Sequence, residues 1–100
     1  MKVFISQPMN GRDDLEIMKE RNRVIDELSA SYGFVEEINS FFTDECETMK
    51  YPGVYMLGRS LKLMADADLV YFVKGWQYGR GCVIEHDVAI KYGLKFIEEV

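Results

Sequence analysis

The chain alternates short, wholly apolar runs with longer stretches in which apolar residues return every three or four positions. Val3, Phe4 and Ile5 form the first run, ended by Pro8 and Gly11, the pattern of a strand buried on both faces and followed by a loop. A helix capped by Asp13 or Asp14 is predicted next, with Leu15, Met18, Asn22, Ile25 and Leu28 at helical spacing and Gly33 as its stop. Residues 34–38 are a candidate second strand, and its two glutamates suit an edge. Residues 39–53 lack a period and end in Pro52-Gly53, which reads as a loop with one helical turn, placed to act as a lid. Leu57, Leu61 and Met64 mark a second helix over residues 54–65, and Leu69 to Val73 make the most strand-like run. After a glycine-rich loop over residues 75–81, Ile84, Val88, Ala89 and Tyr92 mark a third helix closed by Lys91 and Gly93. Residues 95–100 supply the last strand.

The order β-α-β-α-β-α-β implies a parallel sheet with right-handed crossovers. The expected fold is α/β, a flavodoxin-like (Rossmann-like) three-layer sandwich with strand order 2-1-3-4, in one domain over residues 1–100. Repeats, linkers and low-complexity tracts are absent from the sequence.

Twelve Lys and Arg against seventeen Asp and Glu give a net charge of −5, which repels a phosphate backbone and argues against a nucleic-acid polymer as partner. Cys46 and Cys82 lack zinc or redox spacing and there is a single histidine, so neither a metal nor another cofactor is expected and both thiols are read as reduced and structural. With no signal-like N-terminus and no apolar run near the ~20 residues that span a bilayer, the expectation is a cytoplasmic protein without a membrane partner. A short chain buries a modest share of its surface, and Phe41, Phe42, Tyr51 and Tyr55 are surface-type aromatics, so a homodimer or higher homo-oligomer is expected.

Ligands of open parallel sheets bind beyond the carboxyl ends of the strands, where crossovers leave in opposite directions. In the 2-1-3-4 order that place lies between the first and third strands, whose exit loops are the two with unusual composition. The first, Ser6-Gln7-Pro8-Met9-Asn10-Gly11, is either a ligand loop with approachable amides or a plain turn. The second carries Trp76, Tyr78, Gly79, Arg80 and Gly81 and opens a helix whose free amides suit a phosphate or carboxylate. Trp76 either stacks a nucleobase or anchors packing. Glu85 is the most informative residue: three, four and seven positions before Val88, Ala89 and Tyr92, it shares the inward face of the helix beside the glycine-rich loop. An acid that merely favours a helix N-terminus faces solvent, so an inward one points to ligand chemistry. His86, about 100° further round, is expected at the surface, and Cys82 is expected to pack as a small apolar residue.

The run Phe4-Ile5-Ser6-Gln7-Pro8-Met9-Asn10-Gly11, followed by Ala67-Asp68-Leu69-Val70-Tyr71-Phe72, Gly75-Trp76, Gly81, Glu85, Ala89 and Gly93, resembles the nucleoside 2-deoxyribosyltransferase-like superfamily. More closely it resembles the small bacterial and phage branch known as DUF4406. The resemblance implies a flavodoxin-like fold, an oligomer with shared sites, and a nucleoside or nucleoside monophosphate as small-molecule partner. In catalytic members the glutamate matching Glu85 attacks the anomeric carbon, releases the base and forms a glycosyl ester. Those members usually carry an aspartate where this chain has Ser60, and a serine or aspartate where it has Gly79. The expected function is an N-glycosidic hydrolase or deoxyribosyltransferase, with Glu85 as nucleophile. Ser6, Gln7, Pro8, Met9, Asn10, Gly11, Ser60, Trp76, Gly79, Arg80 and Gly81 are the candidate binding residues. The alternative is a non-catalytic nucleotide-binding or sensing module of the same fold.

Overall fold

The computed structural model describes residues 1–41 and 48–100. The strands β1 (Lys2–Ser6), β2 (Glu36–Glu37), β3 (Leu69–Phe72) and β4 (Phe96–Glu98) form one parallel sheet in the order β2-β1-β3-β4. This is the flavodoxin-like α/β architecture. β1 and β3 pair from Val3 with Leu69 to Ser6 with Phe72, and every residue of β3 is buried, as the absence of polar alternation predicts. β2 is shorter than residues 34–38: Val35 is buried beneath it, but Phe34 is 83% exposed and outside the ladder.

Helix α1 (Asp14–Tyr32) starts where Asp13 accepts the Glu16 amide at 2.8 Å and ends where the Gly33 amide reaches back to the Ser29 carbonyl. Its inward face differs from the predicted stripe. Ile17, Arg21, Val24 and Leu28 are buried, whereas Leu15 is 65% and Met18 40% exposed and Ile25 is partly buried. The true stripe passes through an arginine, so it does not look apolar. Val24 and Leu28 pack on Val3, Ile5, Leu69, Tyr71 and Val73, one face of the sheet.

The opposite face, Phe4, Val70 and Phe72, receives Met64 from α2 (Pro52–Met64) and Ala89 from α3 (Arg80–Lys91). α2 begins at Pro52, two residues earlier than predicted, because proline at the first helical position needs no amide partner. Met64 is fully buried and Leu61 packs beside it, while Leu57 is half-buried. The lid assigned to residues 39–53 falls partly outside the described residues, as do Phe42 and Cys46, and Phe41 is half-buried rather than exposed.

In α3 the buried residues are Cys82, Glu85 and Ala89, with Val88 half-buried. Ile84 and Tyr92 are 41% and 79% exposed, so the inward face is rotated from the predicted stripe, and Glu85 lies at its centre rather than at its margin. No described helix is long and apolar enough to cross a membrane.

Candidate functional site

A cavity of about 390 Å³ opens beyond the carboxyl ends of β1 and β3. The crossovers from these strands lead to helices on opposite faces, so the strand ends separate and leave a crevice between them. One wall is the stretch from Ser6 to Asn10, a second is α2 from Gly53 to Ser60, and a third runs from Tyr78 through Gly79, Arg80, Gly81 and Cys82 to Glu85. Ser40 adds a hydroxyl from the connection after β2.

Glu85 is 6% exposed. It lies in the second turn of α3, and the Ser6 hydroxyl donates to its Oε1 over 2.6 Å. Burial pushes its carboxyl up from 4.5 to about 6, against the opposing pull of hydrogen bonds from Ser6 and Ser60. The group is thus mostly ionised at neutral pH while being held out of water, which suits a nucleophile or a general base. Cys82 lies beside it, and burial raises its thiol to about 11, with hydrogen bonding to Ser6 opposing and the Glu85 charge adding to the rise. That thiol is unreactive near pH 7.

The opening of α3 leaves its first amides without intrahelical acceptors at the pocket wall. Arg80 lies there too, reaching towards the start of α2: a Cβ added at Gly53 would sit 3.2 Å from its Nη2. The N-terminus of α3 and a guanidinium therefore share one wall, an arrangement that favours an anion. Gly79 has no room for a side chain, since a Cβ would meet Cys82 Sγ at 2.9 Å and Pro8 at 3.2 and 3.3 Å. The close approach of the two exit loops accounts for glycine at this position.

The structure brings Ser6, Gln7, Pro8, Met9, Asn10, Ser60, Gly79, Arg80, Gly81 and Glu85 around the cavity. Gly11 and Trp76 are elsewhere. Gly11, at φ 75°, serves the turn closed by the Arg12 amide and the Met9 carbonyl. Trp76, in the 3₁₀ turn Trp76–Tyr78, stacks on His86 at 4.0 Å and leans on Phe72 at 5.6 Å, so one face of the indole packs on protein, and the residue does not line this cavity. His86 correspondingly departs from the expected surface placement: it is wedged among Trp76, Phe72 and Phe96 and bonded to Glu98.

Gln7 lines the cavity, yet its carboxamide is engaged behind the wall with Glu20 and Arg21. Arg21 is the residue that periodicity missed. The available signal was Ile17, Arg21, Val24 and Leu28 at helical spacing, one charge in an otherwise apolar row. Among the described residues no group of three His, Cys, Asp or Glu is placed to hold a metal ion.

The family model described as Domain of unknown function (DUF4406) matches residues 1–98. The chain belongs to the DUF4406 family. No curated protein and no solved structure matches it. In this DUF4406 domain the match spans all four strands, from the residue before β1 to the last of β4, so it includes both exit loops and every wall of the cavity.

Proposed function

We propose that this DUF4406 domain cleaves the N-glycosidic bond of a deoxynucleoside or its 5′-monophosphate, with Glu85 as nucleophile. The observation that carries the proposal is a buried carboxylate, bonded to Ser6 and largely ionised at neutral pH, in the wall of a cavity that also presents Arg80 and the start of α3. Sequence resemblance to the nucleoside 2-deoxyribosyltransferase-like superfamily supplies the substrate class.

In the first step a Glu85 oxygen bonds to the anomeric carbon as the carbon–nitrogen bond breaks, and the base leaves with that electron pair and takes a proton from water. Water then adds to the glycosyl ester, returning the carboxylate and free sugar, and the proton it releases neutralises the hydroxide left by the first step. Burial assists because a carboxylate poorly solvated by water meets the positive charge of an oxocarbenium-like centre in a low-dielectric site. Arg80 and the first amides of α3 hold the 5′-phosphate.

Ser60 supports a second reading, a non-catalytic nucleotide-binding module. It supplies a hydroxyl to Glu85 where catalytic relatives carry an aspartate, so the carboxylate is partly occupied and the sugar loses a charged anchor. Incubation with the common deoxynucleosides and their 5′-monophosphates, followed by chromatography for free base, separates the two. Release of base supports the enzyme, binding without release supports the module, and neither result leaves either standing.

Tyr51 and Tyr78, 69% and 92% exposed, stand beside the pocket walls with Val54 at 69%. A second copy of the chain covering them is part of this proposal.

A further inference from the structure

The wall of the cavity that follows β1 is tied from behind by two adjacent residues of α1. Arg21 is fully buried. Its Nε donates to Glu37 at 2.7 Å, Nη1 to Gln7 Oε1 at 2.8 Å, and Nη2 to Ser40 Oγ at 2.9 Å and to the Ile38 carbonyl at 3.2 Å. Glu20 Oε1 accepts from Gln7 Nε2 at 2.9 Å and from Arg12 Nη1 at 2.8 Å, and the same Arg12 nitrogen donates to the Pro8 carbonyl at 3.0 Å. A closed circuit results, running from Arg21 through Gln7, Glu20 and Arg12 to the backbone at Pro8.

Burying a guanidinium carries a large desolvation cost, recovered only when its donors are satisfied. The core on this side of the sheet does not require it, since Val24 and Leu28 already pack on Val3 and Ile5. What the circuit does achieve is geometric. Gln7 and Ser40 both line the cavity, one from the connection after β1 and the other from that after β2, and a single rigid fork fixes the distance between them. Neither Glu20 nor Arg21 lines the cavity itself.

We propose that Glu20 and Arg21 are positioning residues for the site: they hold residues 7–10 and Ser40 at the separation the nucleotide requires, without touching it. The proposal rests on the function proposed above for the substrate, though not for the tie itself.

Two variants test it, with the four common deoxynucleoside 5′-monophosphates as substrates. Arg21→Lys keeps the charge beside Glu37 but cannot span Gln7 and Ser40 together. Glu20→Ala removes the acceptor shared by Gln7 and Arg12 at a helix position that is 17% exposed, so it folds even where Arg21→Lys does not. In both, KM should rise about tenfold with kcat changed less than about threefold, because the walls are loosened while Glu85 is untouched. Amide hydrogen exchange at Arg12, whose amide closes this loop onto the Met9 carbonyl, should accelerate while that at Val24 and Leu28 stays as it was. Unchanged KM and unchanged loop exchange in Glu20→Ala overturn the proposal, as does a fall in stability and kcat with KM intact, the behaviour of a merely structural residue. An unmodified protein that neither binds nor cleaves a monophosphate removes the proposed function, and the exchange measurement then decides the positioning role by itself.

Discussion

The Ser6 hydroxyl and the Glu85 carboxylate meet over 2.6 Å across 79 positions of sequence. Ser6 is the last residue of β1 and pairs in register with Phe72, so its direction is fixed by the sheet. Glu85 is delivered by α3 from the other side of the switch point. A carboxylate positioned by a strand end and a helix is held on rigid elements, which is what a reacting group needs.

Replacing Glu85 by Gln tests its chemical role. The amide keeps the shape and most hydrogen bonds but removes the charge that would meet an oxocarbenium-like centre. Base release should fall by orders of magnitude while monophosphate still binds. A Glu85→Gln protein that releases base at the unmodified rate would assign the residue to the scaffold.

The same substitution should stabilise the fold at neutral pH. The Glu85 carboxyl is raised from 4.5 to about 6, so the folded state holds that proton more tightly than the unfolded chain does. The associated stability is complete below pH 4.5 and is lost as pH rises through about 6. The ionised group therefore costs about 2 kcal/mol at pH 7. Denaturant midpoints of the Gln variant should exceed those of the unmodified protein at pH 7, and the gap should close below pH 4.5. For catalysis the sign is opposite, because a nucleophile must be ionised: kcat/KM for base release should decline as pH falls below about 6.

Gly79→Ala probes the contact between the exit loops. Its Cβ would stand 2.9 Å from Cys82 Sγ and 3.3 Å from the Pro8 backbone, so sulfur or loop must shift. A loss of roughly 1–3 kcal/mol in chemical denaturation is expected, with weaker monophosphate binding from the displaced wall. An alanine variant of unchanged stability would show that the loops separate freely.

Arg80→Ala should reduce the preference for monophosphates over nucleosides. A hydrogen bond from a charged donor contributes about 1.5–3 kcal/mol, roughly ten- to a hundredfold in affinity, which calorimetric titration resolves. Trp76→Phe serves as the counterpart, since Trp76 packs on His86 away from the cavity. Affinity within twofold of the unmodified protein is expected, and a large loss would return the indole to the site.

The sheet was legible in the sequence because its inner strands admit no polar residue before their ends: Val3-Phe4-Ile5 and Leu69 to Phe72 leave one interpretation. Glu85 was legible because one acid interrupts an inward helical row. The identical signal in α1, Arg21 between Ile17 and Val24, escaped because Leu15, Met18 and Ile25 offered a competing stripe with Met18 and Ile25 one position away, and only tertiary contacts decide between two such phases. Trp76 was ambiguous for a related reason. An aromatic in a glycine-rich loop has the same sequence signature whether it faces ligand or protein, and here the 3₁₀ turn directs it onto His86.

The pairing of β1 with β3 also governs when the cavity can exist. Its walls come from both ends of the chain and meet only after Val3 has found Leu69, a closure over more than sixty residues. A partly folded chain lacking that pairing has no crevice for a ligand to occupy. Any molecule that fits should bind the native state alone and stabilise it by about 2.7 kcal/mol at a hundred times its Kd, so that the melting temperature climbs with the logarithm of ligand concentration. Thermal shift across a library of phosphorylated and unphosphorylated nucleosides thus becomes a direct way to find the natural ligand, whatever reaction follows.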